Sequence, residues 1–114
     1  MTFLFNAWYC AGWSADLKAA PQGIKMLDMD IVMFRREDGE PVALSGICPH
    51  RFAPMKYGEV KGDTLVCGYH GLRFDQSGTC IHNPHGRGVI PPKTALRKFP
   101  VTDRNGAVWI WTGD

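Results

Sequence analysis

No apolar run in this sequence approaches the ~18–20 residues that a membrane-spanning helix needs, so no segment is read as a membrane span. A basic patch is missing as well. Thirteen Lys and Arg stand against 11 Asp and Glu, for a formal net charge of +2, and Arg35-Arg36 is answered at once by Glu37 and Asp38. That balance gives no footprint for nucleic acid. Sustained helical periodicity, internal repeats and low-complexity tracts are all absent, which leaves a mainly antiparallel β domain as the expected fold class. A secretion signal is not evident either. The aromatic N-terminus, Met1 to Trp13, lacks a basic leading region, contains Asn6 and offers no small-residue cleavage site, so it reads as folded structure.

Cysteine is sparse: Cys10, Cys48, Cys67 and Cys80. Without a secretion signal these are not read as a disulfide framework. Their interleaving with histidine points to metal-bound thiolates in a cytoplasmic chain. Cys10 and Cys80 stand outside that interleaving and are expected to be small buried residues. The 114 residues are 45% hydrophobic and 11% aromatic, which suits one domain, 1–114, with a modest core.

Turn and strand signals lay out the chain. Asn6 to Cys10 reads as an extended aromatic segment, and Ser14-Ala15-Asp16-Leu17 as an N-cap with one helical turn, ended by Pro21. Gly23 to Asp30, with Ile24, Met26 and Met29 alternating, reads as a half-buried strand. Ile31 to Phe34 and Val42 to Leu44 read as strands joined at Asp38-Gly39. Gly58, Gly62 and Asp63 punctuate a link to the strand Thr64-Leu65-Val66, and Leu72-Arg73-Phe74 is followed by the turn Asp75-Gln76-Ser77-Gly78. His82 to Pro92 reads as a covering loop. Leu96 to Val101 and Ala107 to Trp111 read as a last hairpin around Asn105-Gly106. The tryptophans Trp8, Trp13, Trp109 and Trp111 are expected in the core.

Two short stretches carry the chemistry: Cys48-Pro49-His50-Arg51 and Cys67-Gly68-Tyr69-His70-Gly71, with 16 residues, 51 to 66, between the ligand pairs. Each offers one thiol and one imidazole. Together they supply two sulfur and two nitrogen donors, the ligand set of a Rieske [2Fe–2S] centre, in which two His replace two Cys on one iron. Cys48 and Cys67 would hold one iron, and His50 and His70 the other. On an extended backbone, residues two apart can point to neighbouring positions. Gly68 and Gly71 suit the close backbone approach and unusual dihedrals of the tighter second loop. A zinc site is the alternative, but zinc sites favour C-x₂₋₄-C with H-x₃₋₅-H, whereas here each loop pairs one Cys with one His. Few donors flank the ligands, and Tyr69 is the one nearby hydroxyl, which favours the low end of the roughly −150 to +300 mV Rieske range. Arg51 and Tyr69 are candidates for shaping the surroundings of the cluster, and Pro49, Phe52 and Pro54 for walling it from water. His82 and His85 read as surface-loop residues, since Pro84 between them disfavours a helical ligand pair.

The run from Cys48 through Ala53-Pro54 and Gly58 to Cys67-Gly68-Tyr69-His70-Gly71-Leu72-Arg73-Phe74 resembles the Rieske motif of ring-hydroxylating and demethylating oxygenases. Asn6-Ala7-Trp8-Tyr9 and Val108-Trp109-Ile110-Trp111-Thr112-Gly113-Asp114 are similar to the vanillate O-demethylase group of that family. The resemblance implies an all-β Rieske fold of antiparallel sheets, with a cluster-binding subdomain of two ligand loops at about 46–84. Cytochrome bc-type Rieske proteins carry a further Cys in each loop. Arg51 to Ala53 and Gly68-Tyr69 contain none, which places the resemblance with the oxygenase and ferredoxin types.

The function that follows is electron transfer. The resemblance implies the N-terminal part of an oxygenase large subunit, taking electrons from an NAD(P)H-dependent reductase or a ferredoxin. They would pass to a mononuclear Fe(II) in a catalytic domain, of the same or a neighbouring subunit, that this chain does not contain. No residue of the chain is expected to be catalytic. A stand-alone Rieske-type ferredoxin is the alternative.

Overall fold

The computed structural model describes residues 6–48, 54–68, 71–84, 86–90 and 94–113. The strands are β1 (Trp8–Trp13), β2 (Gln22–Met26), β3 (Met29–Arg35), β4 (Pro41–Ser45), β5 (Glu59–Lys61), β6 (Thr64–Val66), β7 (Arg73–Phe74), β8 (Cys80–His82), β9 (Lys98–Phe99), β10 (Val101–Arg104) and β11 (Ala107–Trp111). Two 3₁₀ turns, Ser14–Asp16 and Met55–Tyr57, are the only helical pieces among the described residues. The strands pair antiparallel into three sheets, ordered β1-β11-β10, β2-β3-β4-β9 and β5-β6-β7-β8.

The middle sheet organises the rest. Along β3, Val32 and Phe34 join one buried cluster while Ile31 and Met33 join another. In β4, Val42 and Leu44 go to the first cluster and Ala43 to the second. Alternation along a strand sends neighbours to opposite faces, so both faces of this sheet are covered. That is why Ile31 to Phe34 is an unbroken apolar run rather than an alternating one. The first cluster is completed by Cys48, Met55, Leu65, Cys67, Leu72, Phe74, Cys80 and Leu96, mostly from the β5–β8 region. The second is completed by Leu17, Phe99, Val108 and Ile110, chiefly from the β1-β11-β10 side.

Several sequence expectations are corrected. Gly23 to Asp30 is not one strand. Met26 pairs with Met29, and Leu27 and Asp28 turn the chain with φ of 50° and 60°. This two-residue turn has the left-handed pair usually given to Asn-Gly; Asp28 tolerates that geometry, but Leu27 carries no turn signal. Leu96 to Val101 is likewise two pieces: β9 pairs with β4, Pro100 intervenes, and the hairpin strand begins at Val101. Ser14 does not cap its turn. Trp13 holds the cap position without a side-chain bond, and the Ser14 hydroxyl donates instead to Asp103 Oδ1 at 2.7 Å. The segment Glu59–Lys61, read as part of a link, is strand β5.

The tryptophans are not core. Trp13 is 70% and Trp8 48% exposed. Val108 and Ile110 turn inward from β11, so Trp109 and Trp111 lie on its outer face. There Trp8 pairs with Trp111, their rings 5.6 Å apart. Cys10 pairs with Trp109 on that same face and is exposed, against expectation, while Cys80 is buried as expected.

The Asp38-Gly39, Asp75–Gly78 and Asn105-Gly106 turns form as read. Asn105 and Gly106 both have positive φ, at 56° and 78°. In the Asp75 turn the carboxylate accepts bonds from the Ser77 hydroxyl and the N–H groups of Ser77 and Thr79. Partial burial pushes the Asp75 carboxyl up, but these bonds prevail and hold it below its ordinary range.

Candidate metal centre

Both candidate loops hang from pinned bases. At the first, Gly46 N–H donates to Asp30 O at 2.7 Å, and Met55 N–H donates to Gly46 O at 2.7 Å. Ile47 and Pro54 form a bridge inside that closure. Gly46 crosses so close to β3 that a Cβ there would sit 3.0 Å from the Asp30 carbonyl carbon. Ser45 is tied across to Arg97 by two bonds: its N–H to Arg97 O at 2.8 Å, and Arg97 N–H to its hydroxyl at 2.7 Å. Cys48 follows directly on this braced corner.

The second loop is closed by Cys67 N–H donating to Leu72 O at 2.8 Å, and by Gly71 N–H donating to Cys67 O at 3.0 Å. Gly71 has φ 76°, the left-handed geometry expected of it. Gly68 has no such dihedral; its lack of a side chain serves a close approach. A Cβ on Gly68 would lie 2.6 Å from Tyr57 O, and one on Gly58 would lie 2.0 Å from Val66 O. The two glycines therefore press the second ligand loop against the corner that follows the first. Sequence reasoning treated Gly58 as punctuation and passed over Gly46; nothing local marks either as a contact.

The two thiols join one buried cluster. Cys48 is 1% and Cys67 2% exposed, and both belong to the apolar cluster of Met55, Leu65, Leu72 and Phe74. Among the described residues no disulfide joins the cysteines. A pair of thiols buried in one apolar cluster, on two loops in backbone contact, fits the sulfur half of a [2Fe–2S] donor set. His50 and His70, the expected nitrogen donors, lie outside the described residues, as do Pro49, Arg51, Phe52, Tyr69 and His85. Pro54, read as part of the wall, is exposed. Among the described residues no three His, Cys, Asp or Glu gather as a metal site; His82 is exposed at the end of β8. A cleft of about 460 Å³, lined by residues including Tyr57, Gly58, Cys67 and Gly71, opens beside the second loop.

Cys80 is the third buried thiol of that cluster, on β8 opposite Phe74. Burial pushes its thiol up, against a lesser opposing effect of a hydrogen bond from the His82 backbone. Its position on a strand, outside both candidate loops, is in keeping with a packing role.

Comparison with known proteins bears on these loops. Residues 7–100 match the family model described as the Rieske [2Fe–2S] domain. The chain is 47% identical over 114 residues to the oxygenase component of dicamba O-demethylase from Stenotrophomonas maltophilia, covering 100% of this chain and 34% of that protein. It is 34% identical over 109 residues to the oxygenase subunit of vanillate O-demethylase from a Pseudomonas species, covering 96% of this chain and 30% of that one. A crystal structure of dicamba monooxygenase with non-heme iron and dicamba superposes with a TM-score of 0.94 at 46% identity, over 100% of this chain and 35% of the other. The chain thus spans about a third of the length of these relatives.

Proposed function

The chain belongs to the Rieske [2Fe–2S] domain family, and from that premise we propose that it is the one-electron relay domain of a Rieske oxygenase. In this reading Cys48 and Cys67 hold one iron of the cluster and His50 and His70 the other, within a cluster-binding part at about 46–84 of a single domain. The burial of both thiols in one apolar cluster, at 1% and 2% exposure, is the observation that carries it.

When bound, the cluster supplies a site that takes up and releases single electrons. The chain's own residues do the rest. Leu65, Leu72, Phe74 and Met55, each 0–1% exposed, keep water from the thiol side. Exclusion of water limits how far solvent can stabilise added charge, one lever on the potential. The braced bases of the two loops, Gly46–Met55 and Cys67–Leu72, fix where the loops leave the sheets, which favours little rearrangement on a change of charge.

The relatives, about three times as long, support reading a wider setting of the following kind. The electron donor is an NAD(P)H-dependent reductase or a ferredoxin. The acceptor is a mononuclear iron in a catalytic domain of the same or a neighbouring subunit, and the compartment is the cytoplasm. Among the described residues no helix is long and apolar enough to cross a membrane.

The test is anaerobic loading of the 114-residue chain with iron and sulfide, followed by metal and sulfide analysis, visible absorption and electron paramagnetic resonance after reduction. A red-brown protein with equal iron and sulfide, a signal on reduction and a midpoint within roughly −150 to +300 mV is expected. In loaded His50→Cys or His70→Cys chains, a charged thiolate replaces a neutral imidazole and the midpoint falls. A colourless zinc protein would overturn the reading, and an unchanged midpoint in a loaded histidine variant would overturn the ligand assignment.

A further inference from the structure

Arg73 stands on β7, one residue past Leu72, whose carbonyl closes the second ligand loop. It pairs with Val66 on one side and His82 on the other, in a row that runs Glu59, Val66, Arg73, His82 across all four strands of the sheet. Its neighbours Leu72 and Phe74 are 1% and 0% exposed and face the core, so Arg73 lies on the other face. Val66, its partner, is the residue before Cys67.

The Arg73 Nε is buried and has no hydrogen-bond partner. A buried donor without a partner is rare and calls for a reason. Arg36 offers the contrast. Its Nε is also without a hydrogen bond, but Asp38 and Asp63 lie within 3.1 and 3.8 Å of its guanidinium. Among the described residues Arg73 has no such ion pair, and the carboxylate in its row, Glu59, is held by Lys61 at 3.4 Å. An arginine cannot shed its proton in a protein. Arg73 is therefore a positive charge, partly sheltered from water, attached to the strand beside Cys67 and, among the described residues, without a carboxylate paired to it.

We propose that Arg73 raises the reduction potential of the cluster through the field of its guanidinium. This rests on the reading of Cys48, His50, Cys67 and His70 as cluster ligands. The reduced state carries one more electron than the oxidised state, so a nearby positive charge favours it. The interaction falls off only as 1/r and is strengthened where water is excluded. No bond to the cluster is required. Arg73 acts by position, and the strand pairing with Val66 supplies the position.

The experiment uses the full chain loaded with its cluster, titrated with dithionite in the presence of redox mediators and followed by visible absorption. Arg73→Gln and Arg73→Met are expected to lower the midpoint, a three- to tenfold shift in the reduction equilibrium, ~28 to 59 mV at 59 mV per decade for one electron. Arg73→Lys keeps the charge and stays closer to wild type than either. Loaded neutral variants with the wild-type midpoint would overturn the proposal. So would a lysine variant that falls as far as methionine, or neutral variants that hold no cluster, since Arg73 would then be structural. A wild-type chain with no cluster spectrum would instead overturn the function proposed above, and that is seen before any variant is made.

Discussion

Replacing Gly58 with Ala tests whether the contact between the two loop segments positions the metal site. Gly58 has φ −81° and ψ −160°, which any L-residue adopts, so its need for glycine is steric alone. The added Cβ would lie 2.0 Å from Val66 O and 3.2 Å from Gly68 N. Contacts below 3.0 Å do not persist, so the Val66 carbonyl must retreat by about 1 Å. Val66 pairs with both Glu59 and Arg73, and the displacement passes directly to Cys67. Overpacking costs about 1–3 kcal/mol, and a weakened ladder hydrogen bond about 0.5–1.5 kcal/mol. The stiffer unfolded chain returns about 0.4–1 kcal/mol. The net loss is about 2 kcal/mol, within roughly 0.5 to 4. Urea unfolding of the loaded chain by circular dichroism measures it, and iron content after loading reports the displaced Cys67. Gly62→Ala is the control. Nothing lies within 4 Å of its Cβ, and only its φ of 61° is strained, so it costs about 1 kcal/mol and loads fully. A Gly58→Ala chain with wild-type stability and full iron would refute the reasoning.

The remaining predictions concern the thiols and the far side of the middle sheet. Cys48→Ala and Cys67→Ala should lose cluster iron while Cys80→Ala keeps it; equal loss in all three, measured as iron and acid-labile sulfide, would refute the division of roles. Arg35 places all five of its N–H donors, on the carbonyls of Leu17, Gly39 and Ser14 and on both oxygens of Asp103. Arg35→Met should therefore cost more than Asp103→Asn, about 2–3 kcal/mol against about 1 for a pair at the surface; equal costs in urea unfolding would contradict this. The hydrogen bond from Arg35 holds the Asp103 carboxyl below its ordinary range and raises Arg35 in turn. A depressed carboxyl contributes stability that is full above its unfolded pKa, about 3.9, and is lost as pH falls through the lower folded value. Asp103→Asn should accordingly flatten part of the acid loss below about pH 4 and leave the slope near neutrality unchanged.

Turns that depend on their own residues were legible from sequence. Asp38-Gly39, Asp75–Gly78 and Asn105-Gly106 announce themselves because glycine and asparagine tolerate positive φ, and aspartate bonds its own backbone. The Leu27-Asp28 turn was not, because Leu27 has no preference for positive φ and the pairing of β2 with β3 imposes it. The tryptophans misled for a related reason: composition says that a ring is apolar, but only the packing of Val108 and Ile110 says which face of β11 is inside.

The proposed donor set, Cys and His interleaved at C-x-H and C-x-x-H, is a property of the sequence by itself, because ligand chemistry depends on residue type and local spacing. So is the absence of a further Cys in either loop. Tertiary structure alone decided that Cys80 shares the buried cluster of Cys48 and Cys67 while Cys10 faces solvent. It alone decided that Gly58 is a contact, and that Arg73 stands beside the second loop with no carboxylate paired to it among the described residues. Each of these depends on what a distant strand brings alongside, which spacing along the chain does not encode.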